Sequence, residues 1–246
     1  MALFLISLGL HDKKDMSVKA LEISKKCDKL YIELYTNYYS SSIDELSRFM
    51  GKKIIKLERK DLEEDSEKLI NEAKKEDIGI LIPGDCISAT THLSLINEAK
   101  SKKIKTKIIH GSSILTAVAE TGLSLYKFGK TASIPFDNKD LETPYNILKE
   151  NKKQHTLFLL DIEDNKYMNT SEALDYLLNV EKKRKEKIIN ENTKVVICSA
   201  LGSEKSEIKF GSIKKLLKIK LKKYPQSLIV PRELHFFEEE MLNSFT

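Results

Sequence analysis

Cysteine is scarce in this sequence: the chain has three, Cys27, Cys86 and Cys198, and they lie far apart. No pair has the CxxC spacing of a zinc site, and an odd, scattered set does not indicate a disulfide framework. The sequence therefore predicts neither a bound metal nor disulfides. It favours a reducing, cytoplasmic compartment.

Glycine-rich phosphate motifs are also missing. Leu8-Gly9-Leu10 follows an apolar run, as in a dinucleotide-binding fold, but the chain has no GxGxxG and no GxxxxGKS. This argues against a nucleotide held mainly by its phosphates. A ligand with amine, carboxylate and adenine groups but no phosphate would instead use backbone groups and a carboxylate at several strand ends. S-adenosylmethionine is such a ligand.

No apolar run approaches the about 20 residues that cross a bilayer. The opening Met1 to Leu10 is apolar, but it has no basic flank before it and it meets His11-Asp12-Lys13 directly. This pattern favours a first buried strand over a signal peptide. With 41% hydrophobic and 32% charged residues in 246, the chain is of the globular, soluble class and long enough for two domains. We predict no membrane partner.

Arginine is rare as well, although the net charge is +5. Of the 42 basic residues, only Arg48, Arg59, Arg184 and Arg232 carry the planar fork that suits phosphate recognition. The lysines alternate with acidic residues, most densely from Glu181 to Lys187, as solvated helix faces do. A nucleic-acid partner is one interpretation of the charge, but a lysine-biased surface is favoured.

The stretch from Ile80 to His92, ILIPGDCISATTH, is the centre of the pattern that is present. An apolar run stops at Pro83-Gly84, and Asp85 follows at once, before a segment rich in hydroxyl groups. In open α/β sheets, ligands lie at the carboxyl ends of strands, which is where Asp85 is placed. Pro-Gly-Asp is also an ordinary turn sequence, so this stretch alone leaves a purely structural role open.

Up to residue 112, apolar strands alternate with amphipathic helices five times. This alternation is typical of a mostly parallel, doubly wound sheet. The predicted strands are Leu3–Leu8, Lys29–Leu34, Ile54–Leu57, Ile78–Ile82 and Lys105–Ile109. The first predicted helix begins near Ser17 and directs Val18, Leu21 and Cys27 towards the core. The other predicted helices are Ile43–Met50, Glu63–Lys75 and Thr90–Lys100.

His110-Gly111-Ser112-Ser113 interrupts this alternation, so we place a domain boundary there, with an N-terminal α/β domain at 1–112 and a C-terminal α/β domain at 113–246. No linker is long enough to separate the halves, which predicts a shared cleft. The C-terminal strands are predicted at Tyr126–Ile134, His155–Ile162, Thr193–Ala200, Ile208–Phe210 and Ser227–Val230. Four C-terminal helices are predicted at Ile114–Glu120, Pro144–Lys152, Ile213–Leu221 and His235–Phe245. A fifth, long helix is predicted to follow Thr170-Ser171, which would cap it.

Motifs of acid–base or nucleophilic catalysis are absent: there is no GxSxG and no HExxH. The five histidines do not form a catalytic set by spacing, and each is interpreted as structural. His110 ends a strand, and His92 follows Asp85 in the next helix.

Taken together, the segments resemble one family, the diphthine synthases, and its archaeal-type form most of all. The similar segments run in family order from residue 3 to about residue 242. They are Leu8-Gly9-Leu10 with Asp15 to Leu21 (DMSVKAL), Tyr31 to Thr36 (YIELYT), the IPGD…ATTH stretch, His110 to Ile114 (HGSSI), Leu125 to Gly129 (LYKFG), His155-Thr156-Leu157 with Leu159 to Ile162 (LLDI), Tyr167-Met168 and Leu228 to Pro231 (LIVP).

This resemblance implies a tetrapyrrole methylase-like fold of two α/β domains, with S-adenosylmethionine in the cleft between them. It implies an enzyme that methylates the amino group of a 3-amino-3-carboxypropyl-histidine of elongation factor 2, about three times, in diphthamide biosynthesis. Members are typically homodimers. A sister methyltransferase acting on a tetrapyrrole or ribosomal RNA, and a donor-binding protein without enzymatic activity, are the alternatives. No general base is assigned, because an apolar cleft itself favours the neutral, attacking amine.

The resemblance also implies the donor contacts, residue by residue. They are Leu10, Asp85, Ser88, Ser113, Ile114, Leu160, Leu201 and, at a position where the archaeal form often has His, Gln226. Other departures from the family pattern are Cys86 where Pro is common, the polar Ser88, and Ser7 and Ala20 where Gly is common. Because Cys86 lacks the fixed φ of proline, the turn after Asp85 is predicted to be looser.

Overall fold

The computed structural model describes residues 1–88, 92–163 and 166–246. The chain forms two compact units, Met1–Leu115 and Thr116–Thr246. The sequence analysis places its domain boundary at residue 112. Among the described residues, no helix is long and apolar enough to span a membrane.

The first unit is built on a five-stranded parallel sheet in the order β3-β2-β4-β1-β5. Its strands are β1 (Ala2–Ser7), β2 (Lys29–Glu33), β3 (Ile54–Leu57), β4 (Ile78–Ile82) and β5 (Lys105–Ile109). The mostly parallel doubly wound sheet is thus confirmed. Apolar clusters cover both faces of this sheet, one containing Leu5 and Ile80 and the other Ile6 and Leu81. This two-sided burial explains why β1 and β4 are continuous apolar runs.

Helices connect these strands. They are α1 (Val18–Lys26), α2 (Ile43–Met50), α3 (Arg59–Glu63), α4 (Glu67–Ala73), α5 (Leu93–Ser101) and α6 (Ile114–Ala117). Ser17 and Ser42 cap α1 and α2 through their side chains. The prediction that Val18 points inward is wrong: it is 73% exposed, because α1 buries the face of Ala20 and Ser24, and Val18 lies off it.

The single helix predicted at Glu63–Lys75 is two helices, α3 and α4. The chain turns between them, where Asp65 donates its N–H to the Lys60 carbonyl and the Ser66 hydroxyl bonds Glu98. The Asp65 N–H thus bonds a carbonyl five residues back instead of four, as at the end of a helix. Of the predicted helix Thr90–Lys100, residues 89–91 lie outside the described part of the chain, and α5 begins at Leu93.

The second unit contains a mixed five-stranded sheet in the order β11-β10-β12-β7-β6, in which only β6 and β7 run parallel. Its strands are β6 (Ala132–Ile134), β7 (Thr156–Leu160), β10 (Lys194–Ser199), β11 (Glu207–Ser212) and β12 (Gln226–Val230), and β8 (Ile162–Glu163) pairs separately with β9 (Lys166–Tyr167). The helices are α7 (Thr143–Glu150), α8 (Thr170–Arg184), α9 (Ile213–Leu216) and α10 (Phe236–Asn243).

The helix predicted at Ile213–Leu221 covers only Ile213–Leu216, and two further predictions fail in this unit for a reason that the structure shows. The strand expected at Tyr126–Ile134 is reduced to β6, after a 3₁₀ turn at Leu125–Lys127. The Asn151 side chain bonds both the N–H and the carbonyl of Lys130, so these groups are not available to a neighbouring strand. Second, α8 is capped by Asn169, which forms a capping box with Glu172, and not by Thr170-Ser171.

Candidate functional site

Three loops meet at the carboxyl edge of the sheet in the first unit. They follow β4, β1 and β5, which are adjacent and parallel, so their ends lie side by side. Every donor contact expected in this half of the chain lies on one of these loops: Leu10 after β1, Asp85 and Ser88 after β4, and Ser113 and Ile114 after β5. The strand order thus brings together five residues that are far apart in sequence.

Backbone contacts join the first two loops. Gly9 and Gly84 exchange two hydrogen bonds, with N···O distances of 3.2 and 2.7 Å, and both have positive φ, +84° and +75°. A Cβ on Gly9 would lie 2.5 Å from the Asp15 Cβ, and one on Gly111 would lie 2.6 Å from the Ser7 Cβ. The loops therefore pack so closely that glycine is required at this edge.

The loop that carries Leu10 is held from within. The Asp15 carboxylate accepts hydrogen bonds from the His11 and Asp12 N–H groups at 2.6 and 3.1 Å. The buried Tyr39 hydroxyl donates to the Leu8 carbonyl at 3.0 Å. Leu10 itself is only partly buried, so its apolar side chain remains available to a ligand.

Asp85 is the most heavily bonded side chain of the edge. It is 8% exposed. Its Oδ1 accepts from the Ile87 N–H at 3.2 Å and the Ser88 hydroxyl at 3.1 Å. Its Oδ2 accepts from the Gly111 N–H at 3.2 Å and is 2.9 Å from His110 Nδ1. A carboxylate has about four acceptor positions, so the chain itself uses all of them.

These bonds keep Asp85 ionised. Burial on its own would raise the pKa of its carboxyl, but the hydrogen bonds from His110, Gly111, Ile87 and Ser88 outweigh burial and lower the pKa below its ordinary value. Asp85 thus places a negative charge among the three loops and ties the loop after β4 to the one after β5.

The loop after β4 is anchored to β1 as well. The Cys86 N–H donates to the Ser7 hydroxyl at 2.9 Å, and the Cys86 thiol lies 3.5 Å from the Leu5 carbonyl. Both residues are fully buried. The first part of this turn is therefore fixed, contrary to the looseness expected from the absence of proline at Cys86.

Ser88 and Ser113 supply hydroxyl groups on the loops after β4 and β5. Ser88 is partly buried and its hydroxyl donates to Asp85. Residues 89–91, the first three of the ATTH segment, lie outside the described part of the chain. Ser113 is buried, and its hydroxyl oxygen accepts the Leu115 N–H at 3.2 Å at the start of α6. Ile114 follows it and is partly buried.

A buried carboxyl also lies at the end of β2, the strand next to β4. Glu33 is fully buried, and burial raises the pKa of its carboxyl although Thr36 donates to it from its N–H and its hydroxyl. His92 Nε2 lies 3.7 Å from it, and burial lowers the pKa of this imidazole. Both groups are thereby shifted towards their neutral forms.

The three donor contacts expected in the second unit share one edge of its sheet. Leu160 ends β7, Leu201 follows the end of β10, and Gln226 begins the antiparallel β12 between these strands. Ser199 pairs with Gln226, and Leu159 with Ser227, so the three positions are neighbours.

Gln226 is already engaged by its own unit. Its side-chain oxygen accepts the Thr170 N–H at 2.9 Å, and its amide nitrogen donates to the Leu221 and Lys223 carbonyls at 3.2 and 3.1 Å. It is buried and holds the start of α8 against the loop before β12. Leu160 is partly buried and Leu201 is buried, so both present apolar surface only.

His110 is the residue that the sequence analysis missed. It was interpreted as structural, yet its side chain is 66% exposed and contacts Asp85. One feature of the sequence could have indicated this contact: His110 and Asp85 each come directly after a predicted strand of the same parallel sheet. The carboxyl ends of parallel strands lie at one edge of the sheet. The described residues of this edge supply an ionised carboxylate, two hydroxyls, an imidazole and apolar Leu10 and Ile114, and they form no phosphate-binding loop.

The chain is similar over nearly its whole length to known proteins. Residues 2–217 match the family of tetrapyrrole (corrin/porphyrin) methylases. The diphthine synthase of Methanocaldococcus jannaschii is 45% identical over 98% of this chain and 97% of its own length. That of Methanococcus aeolicus is 43% identical over 98% and 96%. A crystal structure of diphthine synthase superposes with a TM-score of 0.93 at 38% identity, covering 100% of this chain and 96% of the other.

Proposed function

The chain belongs to the diphthine synthases of the tetrapyrrole methylase family, S-adenosylmethionine-dependent methyltransferases of diphthamide biosynthesis, and we propose that its acceptor is elongation factor 2. The reacting group would be the amino group of the 3-amino-3-carboxypropyl-histidine, methylated three times. The observation that carries the proposal is the ordered edge of the first unit, where all five expected donor contacts lie on adjacent loops.

For the donor we propose contacts from Leu10, Ser88, Ser113 and Ile114 in the first unit, with Asp85 holding the loops that carry them. The residues fit this ligand in kind. Partly buried apolar side chains suit the adenine ring, hydroxyls suit the ribose, and the charge of Asp85 favours a sulfonium cation nearby. Leu160, Leu201 and Gln226 are proposed as the contribution of the second unit.

The bound donor supplies an electrophilic methyl group on its sulfonium sulfur. The protein then has to hold the attacking nitrogen in line with the methyl carbon and the sulfur, and such positioning is worth several kcal/mol. The rigidity of the edge, with its paired glycines and fully bonded carboxylate, is the property that this chemistry needs.

We further propose that the enzyme works in the cytoplasm as a homodimer. All three cysteines are free and buried, in keeping with a reducing compartment. The second unit exposes apolar side chains on its 3₁₀ turn at Leu125–Lys127 and on α10. An ion pair between Lys127 of the turn and Glu238 of α10 joins these two elements. The exposed apolar side chains are Leu125, Tyr126, Phe236, Phe237 and Met241. Light scattering of wild type and of Phe237→Asp tests whether a second copy covers them.

Donor binding is tested by calorimetric titration with S-adenosylmethionine. We expect Asp85→Ala to weaken binding strongly, because it removes the two bonds that join the loop after β4 to the loop after β5 and two more within the loop after β4. The matched control is Asp175→Ala in α8 of the second unit, which is exposed and should bind as wild type does. Absence of binding by the wild type, or equal binding by Asp85→Ala, contradicts the proposed donor site.

The acceptor is tested with labelled donor and elongation factor 2 that carries the aminocarboxypropyl group. Mass spectrometry counts the methyl groups directly, and we expect additions of one, two and three. Label transferred to ribosomal RNA or to a corrinoid instead would identify a sister methyltransferase. Donor binding without any transfer would identify a non-enzymatic protein.

A further inference from the structure

We propose that His110 accepts the proton that leaves the acceptor amine before each methyl transfer, with Asp85 orienting its imidazole ring. This inference rests on the proposed function, because it concerns the amino group of that acceptor. It assigns a general base to a site for which the sequence offered none.

The geometry fixes which ring nitrogen is available. His110 Nδ1 lies 2.9 Å from Asp85 Oδ2, and that carboxylate is 7% exposed while the imidazole side chain is 66% exposed. Since Nδ1 points at the buried carboxylate, the exposed part of the ring is the far edge, which carries Nε2. The same ring therefore has one buried, oriented nitrogen and one that faces outward.

The surroundings of Asp85 set the tautomer. Its Oδ1 is occupied by the Ile87 N–H and the Ser88 hydroxyl, and its Oδ2 already accepts the Gly111 N–H. An ionised carboxylate can only accept, so His110 Nδ1 must carry the hydrogen and donate it. A neutral imidazole with a proton on Nδ1 has its lone pair on Nε2, where it can take a proton.

The reaction needs such an acceptor repeatedly. The amine nitrogen attacks with its lone pair, the new N–C bond forms, the C–S bond breaks, and sulfur keeps the electron pair. The product of the first two transfers is an ammonium that still bears N–H, and it cannot attack again until it loses a proton. His110 Nε2 takes that proton and passes it to water at its exposed edge. The third product is quaternary and has no N–H to lose.

The other buried ionisable pairs are less suited to this role. Glu33 and His92 are both buried, and His155 uses both ring nitrogens within the second unit. Its Nδ1 accepts the Arg232 N–H at 3.0 Å, and its Nε2 faces Glu238 at 3.4 Å. His110 is exposed, is oriented by a carboxylate and is the first residue of the loop that carries Ser113 and leads to Ile114.

The test compares two substitutions that separate orientation from proton transfer. His110→Asn places an amide N–H where Nδ1 was, so it keeps the bond to Asp85 but has no group that accepts a proton. His110→Ala removes both functions and leaves room for imidazole added to the buffer. Donor affinity is measured for each by titration, and the methyl groups on elongation factor 2 are counted by mass spectrometry at short times.

We expect His110→Asn to bind the donor as wild type does and to transfer methyl groups about 10²-fold more slowly, as loss of a general base does. Mono- and dimethylated products should accumulate in it. Added imidazole should restore transfer by His110→Ala and leave His110→Asn unchanged. Wild-type rates and product distribution in His110→Asn overturn the assignment of the base, and so does the absence of imidazole rescue. A wild type that transfers nothing overturns the proposed function itself.

Discussion

Two departures from the family pattern, Ser7 where glycine is common and Cys86 where proline is common, are joined by one hydrogen bond. The Cys86 N–H donates to the Ser7 hydroxyl at 2.9 Å, and both residues are fully buried. Proline has no N–H and glycine has no hydroxyl, so the common pair lacks both the donor and the acceptor. We predict that the two positions are energetically coupled.

The magnitude follows from what each single change leaves behind. Ser7→Gly leaves a buried N–H without an acceptor, which costs about 1–3 kcal/mol, and glycine inside a strand costs about 0.5–1 kcal/mol more. Cys86→Pro leaves the buried Ser7 hydroxyl without its donor, again at about 1–3 kcal/mol. The double variant contains neither unpaired group. Its free energy of unfolding should therefore exceed the additive expectation by the sum of the two unpaired-group costs, about 2–6 kcal/mol.

Equilibrium urea unfolding of the wild type, the two single variants and the double variant measures this coupling. Any strain that proline introduces in the turn is present in Cys86→Pro and in the double variant alike, so it cancels in the cycle. The matched control is Cys86→Ala, which removes the thiol but keeps the N–H. Combined with Ser7→Gly it should show a smaller coupling than Cys86→Pro does, because only the contact between the thiol and the Ser7 side chain is then lost.

Additivity of Ser7→Gly and Cys86→Pro within about 0.5 kcal/mol would refute the reasoning. It would mean that the hydrogen bond between the two residues contributes nothing to stability. Coupling in the Cys86→Ala cycle as large as that in the Cys86→Pro cycle would refute it as well, because it would assign the effect to the thiol, which also contacts the Ser7 side chain.

Three further predictions concern single features. Gly9→Ala should lower the free energy of unfolding by at least about 2 kcal/mol and weaken donor binding, because the φ of Gly9 is +84° and a Cβ there would collide with Asp15. Its control is Gly51→Ala, where φ is +68° but the space is open: it should cost about 1 kcal/mol and leave donor binding unchanged. Burial alone would raise the pKa of the Glu238 carboxyl, but hydrogen bonds from Lys127, His235 and Ser124 lower this pKa below its ordinary value. The ionised Glu238 therefore stabilises the folded protein above about pH 4.3, and this contribution is lost as the pH falls further. Urea midpoints of wild type and Glu238→Gln should then differ at pH 7 and converge in acid; a constant difference would contradict this. Burial raises the pKa of the Cys27 thiol to about 11 and that of the Cys198 thiol to about 12. Ellman's reagent should therefore label these thiols at pH 8 far more slowly in the native protein than in the unfolded one. Rapid labelling of the native protein would contradict this, because it would show that the thiols are accessible.

The parallel sheet was predictable because its three central strands β1, β2 and β4 are buried along nearly their whole length. Ile54–Leu57, Ile78–Ile82 and Lys105–Ile109 were predicted with the bounds that the structure gives them. Their runs are short and end at turn residues, so few alternatives compete. The Tyr126–Ile134 segment was less predictable, because a side chain from elsewhere, Asn151, takes the backbone groups that its sequence would offer to a strand. Local pattern does not contain that information.

The same limit applies to the candidate site. The sequence places Asp85, His110 and Leu10 at strand ends, but it does not specify that β1 lies between β4 and β5, which is what makes the three loops neighbours. Without that order, a histidine after β5 has no visible relation to a carboxylate after β4, and its solitary spacing favours a structural role.

Asp85 shows what the strand order adds to a correct placement. From sequence, a carboxylate at the carboxyl end of a strand is a candidate to grip a ligand directly. In the structure its four acceptor positions are taken by His110, Gly111, Ile87 and Ser88. A ligand amine could reach it only by displacing one of these donors, and His110 is the most exposed of them. The carboxylate therefore acts first on its own loops, and its effect on a ligand passes through the positions of Ser88 and His110.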